Sequence, residues 1–133
     1  MASSLRLDFE QADLIYGLAA LDDETLDTLP FGVIGFGKEP EARVVRYNAY
    51  ESAGSGLDPS RVLGLPLFSV VAQCMNNDLV AQRFDDATRA GHSLDVILEF
   101  TFTLRMKATP VVLRLLSSPD HATQFVAVRW NRG

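Results

Sequence analysis

Hydrophobic and polar residues alternate most regularly between positions 94 and 106. Seven consecutive even-numbered positions are apolar, from Leu94 to Met106, and the positions between them are mostly polar. Because successive side chains of a strand point to opposite faces, this period of two predicts a strand with one face turned toward a core. Four other segments rich in β-branched and aromatic residues are also predicted to be strands: residues 31–36, 43–47, 110–116 and 123–130.

Apolar residues three and four positions apart predict helices in two further segments. Residues 9–21 are expected to form a short amphipathic helix that docks as a cap before the first strand. Residues 76–93 are predicted to be the main helix, with Asn77 or Asp78 as its N-cap and Gly91 as its stop. Its predicted buried stripe consists of Leu79, Val80, Phe84, Ala87 and Ala90.

Shorter helical turns are expected where a polar residue suits the N-cap position, at Asp22 or Asp23 and at Asn48. A further short turn or helix is expected to start at Asp58 and Pro59. The predicted order then runs from a helical cap through two strands, several short helices and the main helix to three strands. This order predicts an α+β fold in which helices cover one face of the sheet. A chain of 133 residues with no repeat or linker is expected to form a single domain.

Charge and composition exclude several classes of partner. The formal net charge is -5 and no basic stripe is present, so a nucleic-acid partner is not expected. No apolar run approaches the roughly 18 residues of a membrane span, and the N-terminus lacks the pattern of a secretory signal. The single cysteine fits a reducing compartment. These features favour a cytoplasmic protein that does not contact a membrane.

Three polar side chains recur at intervals of four residues after the second predicted strand. Tyr47 stands at the mouth of the helix that Asn48 would cap, and Glu51 and Ser55 follow on the same side. One interpretation is a solvated helix face, which the spacing alone favours. The other is a polar cluster in a pocket, where a carboxyl group without a nearby cation is pushed toward its neutral form.

The single cysteine, Cys74, follows an apolar run, and such a thiol is most often a buried structural residue. A nucleophile or an attachment point is the alternative. A Cys–His hydrolase is disfavoured because His92 and His121 have no motif around them. Phe102 and Met106 share the inward face of the long strand, where core packing is the simplest interpretation. No dinucleotide-binding, P-loop or HExxH motif occurs.

Taken together, these residues resemble the photoactive yellow protein family of blue-light receptors. The resemblance covers about residues 21 to 130 and rests on four segments in the same order: LDDETLDTLPFGVIGF, VVRYNAYE, GLDPSRVLGLPLFSVVAQC and LEFTFTLRM. It implies a PAS fold, with a five-stranded antiparallel sheet and helices on one face. It also implies an N-terminal helical cap of residues 1–28, followed by a core of residues 29–133.

The resemblance further implies a cofactor, p-coumaric acid, joined to Cys74 as a thioester. Its phenolate would accept hydrogen bonds from Tyr47 and from protonated Glu51, and Ser55 would bond to Tyr47. The backbone N–H of Cys74 would hold the carbonyl of the chromophore. This arrangement is coherent physically, because a buried phenolate without strong donors would cost several kcal/mol.

The same resemblance implies a photoreceptor rather than an enzyme. Phe102 and Met106 would line the chromophore ring and assist thermal recovery. Photoisomerisation would lead Glu51 to give up its proton, and the buried carboxylate would then bias the N-terminal cap toward release. The released cap would act on a downstream signalling protein that the sequence does not name.

Four positions depart from the family pattern. Leu57 replaces an arginine that shields the chromophore, and Tyr50 stands where a small residue is common. Gln73 replaces a proline, and Met75 replaces a threonine. These departures bear on colour and photocycle rate more than on attachment.

Two other functions remain open from the sequence. One is a PAS sensor or protein-interaction module that binds another small ligand and does not respond to light. The other is a flavin-binding blue-light PAS domain, which is disfavoured because Cys74 is followed by Met-Asn-Asn instead of the usual Arg-Phe-Leu.

Overall fold

The computed structural model describes residues 7–104 and 107–130 of the chain. Its five strands are β1 (Gly32–Phe36), β2 (Val44–Tyr47), β3 (Leu94–Leu104), β4 (Lys107–Ser117) and β5 (Gln124–Trp130). Its helices are α1 (Leu14–Ala20), α2 (Asp23–Leu26), α3 (Ala49–Ser55), α4 (Pro59–Val62) and α5 (Ala81–Ala90). A π-helical turn at Leu67–Val71 and a 3-10 turn at Gln73–Met75 lie between α4 and α5.

The strands form one antiparallel sheet in the order β2-β1-β5-β4-β3. The predicted α+β architecture with a five-stranded sheet is therefore confirmed. Within the described residues, no helix is long and apolar enough to cross a bilayer.

Both faces of the central strands are buried, because different elements cover each face. One face packs with residues of the helices that follow β2, and its core includes Phe36, Phe84 and Leu113. The other face packs against α1 and α2, and its core includes Leu18 and Phe125. The N-terminal segment thus covers a hydrophobic sheet face that would otherwise contact water.

The long strand β3 follows its predicted alternation. The even-numbered residues from Leu94 to Phe100 are half-buried and Phe102 is buried, whereas the odd-numbered residues between them are exposed. Met106, the last residue of the predicted pattern, lies outside the described residues. The next strand, β4, begins at Lys107 and not at Pro110 as expected. Among the residues that the structure describes, 107–110 pair with β3 alone, since the described pairing of β5 ends at Val111. A proline is tolerated where one side of a strand is unpaired.

The predicted helix 76–93 is shorter than expected, because α5 begins only at Ala81. The Oδ1 atom of Asn77 accepts hydrogen bonds from the backbone N–H groups of Leu79 and Val80, which forms a local turn that competes with the helix. The predicted stripe is correct for Val80, Phe84 and Ala87 but wrong for Leu79 and Ala90, which are exposed. The stop at Gly91 is confirmed, with φ 70° at its αL position.

The predicted helix 9–21 is also too long, because α1 begins at Leu14. Asp13 adopts a left-handed backbone conformation with φ 56°, so the right-handed helix cannot extend N-terminal to Leu14. Leu7 and Phe9 are nevertheless buried in the core on the sheet face that α1 and α2 cover. A Cβ atom at Gly17 would lie 2.9 Å from a methyl carbon of Leu7, so this glycine allows Leu7 to pack closely on α1.

Candidate functional site

A small cavity lies between the sheet and the segment that runs from α3 to the 3-10 turn. Its volume is about 20 Å³. Six of the eight predicted site residues line it: Tyr47, Glu51, Ser55, Leu57, Cys74 and Phe102. The other lining residues are Ile34, Val71, Ala72 and Met75. Tyr50 is not among the lining residues. It packs half-buried against the core on the sheet face that the helices after β2 cover, called the helix-side core. Met106 lies outside the described residues.

Asn48 holds the start of α3 against both the sheet and the cap. Its Oδ1 atom accepts hydrogen bonds from the backbone N–H groups of Glu51 (3.1 Å) and Val33 (2.9 Å). Its Nδ2 atom donates to the carbonyl oxygens of Leu26 and Phe31, each at 3.0 Å. The predicted N-cap is thus confirmed, and this buried amide ties the helix that carries Glu51 to α2 and to the start of β1.

Tyr47 is the buried phenol of the cavity. Its hydroxyl lies 2.7 Å from Oγ of Ser55, and either oxygen can be the donor in this hydrogen bond. The Ser55 Oγ atom accepts a hydrogen bond from the backbone N–H of Leu57 at 3.1 Å. Burial raises the pKa of Tyr47 above its ordinary value, and the neighbouring Glu51 adds to this effect, while the hydrogen bond with Ser55 opposes it. The phenol therefore keeps its proton and is available as a donor.

Glu51 is the buried carboxyl group of the site, with 2% of its surface exposed. Burial raises its pKa to about 8, although a hydrogen bond from Trp130 opposes the shift. The distance from Nε1 of Trp130 to Oε1 of Glu51 is 2.9 Å. A side chain at Gly32 would collide with the same oxygen, so the absence of a Cβ atom there makes room for the carboxyl group. At neutral pH this carboxyl group is mostly protonated.

Trp130 was not predicted as a site residue. It lies on β5, on the same face as Val126 and Val128, and all three belong to the helix-side core. Alternation along the predicted strand 123–130 places Trp130 on that face, but nothing local in the sequence indicates that its indole reaches Glu51. The contact joins residues that are 79 positions apart.

Cys74 is a half-buried free thiol within the 3-10 turn. The side chain of Asn77 donates a hydrogen bond to the carbonyl oxygen of Cys74 at 3.0 Å, which anchors this turn. Neither His92 nor His121 lines the cavity, and the ring of His121 packs against Tyr16 of α1 instead. Neither imidazole therefore shares the cavity with the thiol.

The architecture described above is that of a PAS domain. Among solved structures, the chain is similar to the LOV protein of Rhodobacter sphaeroides, with a TM-score of 0.57, 19% identity and coverage of 84% of this chain and 65% of that chain. That likeness shows the fold alone. The chain is more similar to the photoactive yellow protein domain of the sensor histidine kinase Ppr from Rhodospirillum centenum, with a TM-score of 0.75 and 31% identity. The match covers 84% of this chain and 95% of that domain.

Sequence similarity gives a narrower assignment. The chain is 32% identical over 107 residues to the photoactive yellow protein of Halochromatium salexigens, which covers 80% of this chain and 83% of that protein. The chain therefore belongs to the photoactive yellow protein family, as its sequence predicted. No protein-family model matches the chain.

Proposed function

We propose that this protein is a blue-light photoreceptor that carries p-coumaric acid as a thioester on Cys74. The observation that supports this function best is the set of side chains around one cavity. A phenol, a carboxyl group with a raised pKa and a free thiol meet there. When bound, p-coumaric acid supplies a phenolate and a double bond that isomerises in light.

The donor set of the cavity fits such a group. Tyr47 and protonated Glu51 each offer a proton to an anionic oxygen, and such charge-assisted bonds are about twice as strong as neutral ones. None of the four ion pairs among the described residues involves a residue that lines the cavity. An anion would thus depend on these two donors for its stabilisation.

The cavity is smaller than an aromatic ring requires. Its volume is about 20 Å³, whereas an engineered cavity that binds benzene measures about 150 Å³. One wall of the cavity is formed by three half-buried residues, Leu57, Val71 and Ala72. We expect this wall to move outward when p-coumaric acid is attached to Cys74. Leu57 occupies the place of the shielding arginine of the family, and its apolar side chain has no hydrogen bond to break during this movement.

The protein would transmit the light signal through Glu51. Loss of its proton leaves a carboxylate in a site where burial penalises the charged form. Asn48 bonds both to the N–H of Glu51 and to the carbonyl oxygen of Leu26 in α2. Strain at the start of α3 would therefore act directly on the cap, and we propose that release of the N-terminal region, about residues 1 to 28, is the output.

Reconstitution tests this proposal. Apoprotein is incubated with activated p-coumaric acid, so that Cys74 Sγ loses its proton and displaces the activating group from the acyl carbon. We expect a blue-absorbing band that bleaches in light and recovers in the dark, and a mass increase that Cys74→Ala abolishes. Absence of the band, or an unchanged band in Cys74→Ala, would contradict the proposal.

A cavity of about 20 Å³, which is too small for an aromatic ring as it stands, supports a second candidate: a PAS module that does not respond to light and that binds another small ligand or a protein. The same reconstitution discriminates the two, since this candidate stays colourless and retains a different small molecule through purification. For either function we expect no enzymatic activity, a cytoplasmic location and a downstream signalling protein as partner.

A further inference from the structure

Trp130 is packed beside the cavity by contacts with two elements, β3 and α3. Its ring packs edge-on against Phe102 of β3, with 5.1 Å between ring centroids and an interplanar angle of 71°. A side chain at Gly54 of α3 would collide with the indole, so the close approach of α3 to β5 requires a residue without a Cβ atom at this position. The indole is 8% exposed, and this packing defines where its N–H points.

The indole N–H points at one of the two carboxyl oxygens of Glu51. It donates to Oε1 at 2.9 Å, and among the described residues no other hydrogen bond involves the Glu51 carboxyl group. The carbonyl oxygen of a protonated acid accepts hydrogen bonds and its hydroxyl donates one. A donor held on Oε1 therefore leaves the transferable proton on Oε2.

The remaining surroundings of Glu51 contain little that could replace this bond. Of the other residues that line the cavity, only Tyr47 from β2 and Cys74 from the 3-10 turn can titrate. The side that faces β1 presents Gly32 and Ile34, and β3 presents Phe102. Arg129, the neighbour of Trp130 on β5, pairs with Glu10 instead.

We propose that Trp130 is a positioning residue for the proton transfer from Glu51. Its N–H selects Oε2 as the proton donor and then remains bonded to the carboxylate, so that the buried anion keeps one partner. The transfer breaks the O–H bond at Oε2 and forms one O–H bond at the acceptor oxygen. No electrons are exchanged, and Trp130 keeps its own proton because an indole N–H is a donor only.

This role predicts effects of different size on the two protonation states of Glu51. A hydrogen bond to a charged group is stronger than one to a neutral group, so removal of the indole N–H destabilises the carboxylate more than the acid. In the loaded protein, the state that contains the carboxylate would lose stability. We therefore expect faster dark recovery and less accumulation of that state when the N–H is absent.

The test uses the fact that Trp130 is the only tryptophan in the chain. Biosynthetic replacement of tryptophan by benzothienylalanine exchanges the indole N–H for sulfur at this position alone and keeps the two fused rings. Trp130→Phe is the genetic counterpart. In both apoproteins, infrared spectroscopy follows the C=O band of the protonated carboxyl group as a function of pH, and Glu51→Gln identifies that band.

We expect both replacements to move the titration midpoint of Glu51 upward by about one unit and the C=O band to higher frequency. A folded benzothienylalanine protein with an unchanged midpoint and band would overturn the assignment. The inference about the photocycle rests on the proposed function, but the apoprotein titration does not need the chromophore. A protein that shows the shift but never becomes coloured would retain the Trp130–Glu51 coupling and disprove the photoreceptor function.

Discussion

The buried carboxyl group of Glu51 predicts an unusual dependence of stability on pH. In the folded protein its pKa is about 8, against a reference value of 4.5. Between these two values the unfolded chain has lost the proton while the folded protein still holds it. The free energy of unfolding contributed by this group is therefore largest below pH 4.5, falls as the pH rises toward 8, and is constant above that.

The size of the effect follows from the shift in pKa. The difference between 4.5 and about 8 corresponds to about 5 kcal/mol, since one unit is worth about 1.4 kcal/mol. This figure is of the order of the whole stability of many domains of this size. Glu51→Gln keeps the shape and removes the ionisation, so the stability of this variant relative to the natural chain is expected to rise by several kcal/mol between about pH 5 and pH 9.

Urea unfolding of the two apoproteins at several pH values, followed by circular dichroism, measures this difference. Glu41→Gln is the matched control because it removes an exposed carboxyl group. Its stability curve is expected to run parallel to that of the natural chain. If the Glu51→Gln curve is also parallel from pH 5 to 9, then Glu51 is not held protonated by burial, and the proposed origin of cap release is wrong.

Two further predictions concern the attachment of the cap. Asn48→Ala removes four hydrogen bonds and should lower the free energy of unfolding, measured with urea, by about 2–4 kcal/mol. The control Asp58→Ala removes the N-cap of α4 and should lower it by only about 1 kcal/mol. Equal losses in the two variants would refute the role of Asn48 in linking α3 to the cap. Arg114 donates to the carbonyl oxygens of Phe9 and Gln11 at 2.9 and 2.8 Å. Arg114→Gln should therefore speed amide hydrogen exchange in residues 7–13 about tenfold or more. The control Arg89→Gln removes an exposed ion pair and should leave that exchange rate unchanged.

Segments whose local pattern agrees with their packing were predicted well. Residues 94–102 have an apolar side chain at every even-numbered position, and they form a strand with that face inward. Asn48 was predicted as an N-cap and Asp58 as the start of a short turn or helix, and both side chains accept the hydrogen bonds of an N-cap. Errors occurred where local backbone geometry delays the start of a helix: the side chain of Asn77 holds a turn before α5, and Asp13 adopts a left-handed backbone conformation before α1. Such local competition leaves no signal in the hydrophobic period.

The sequence by itself determined the order of the elements, the burial pattern of the long strand and, through the family resemblance, the residues to examine. Spacing alone favoured an exposed helix face for Tyr47, Glu51 and Ser55. The tertiary structure decided otherwise, because α3 packs against β1 and the last residue of β5 reaches the same carboxyl group. The ionisation of Glu51 depends on its burial and on the N–H of Trp130, and both arise only when distant segments pack together.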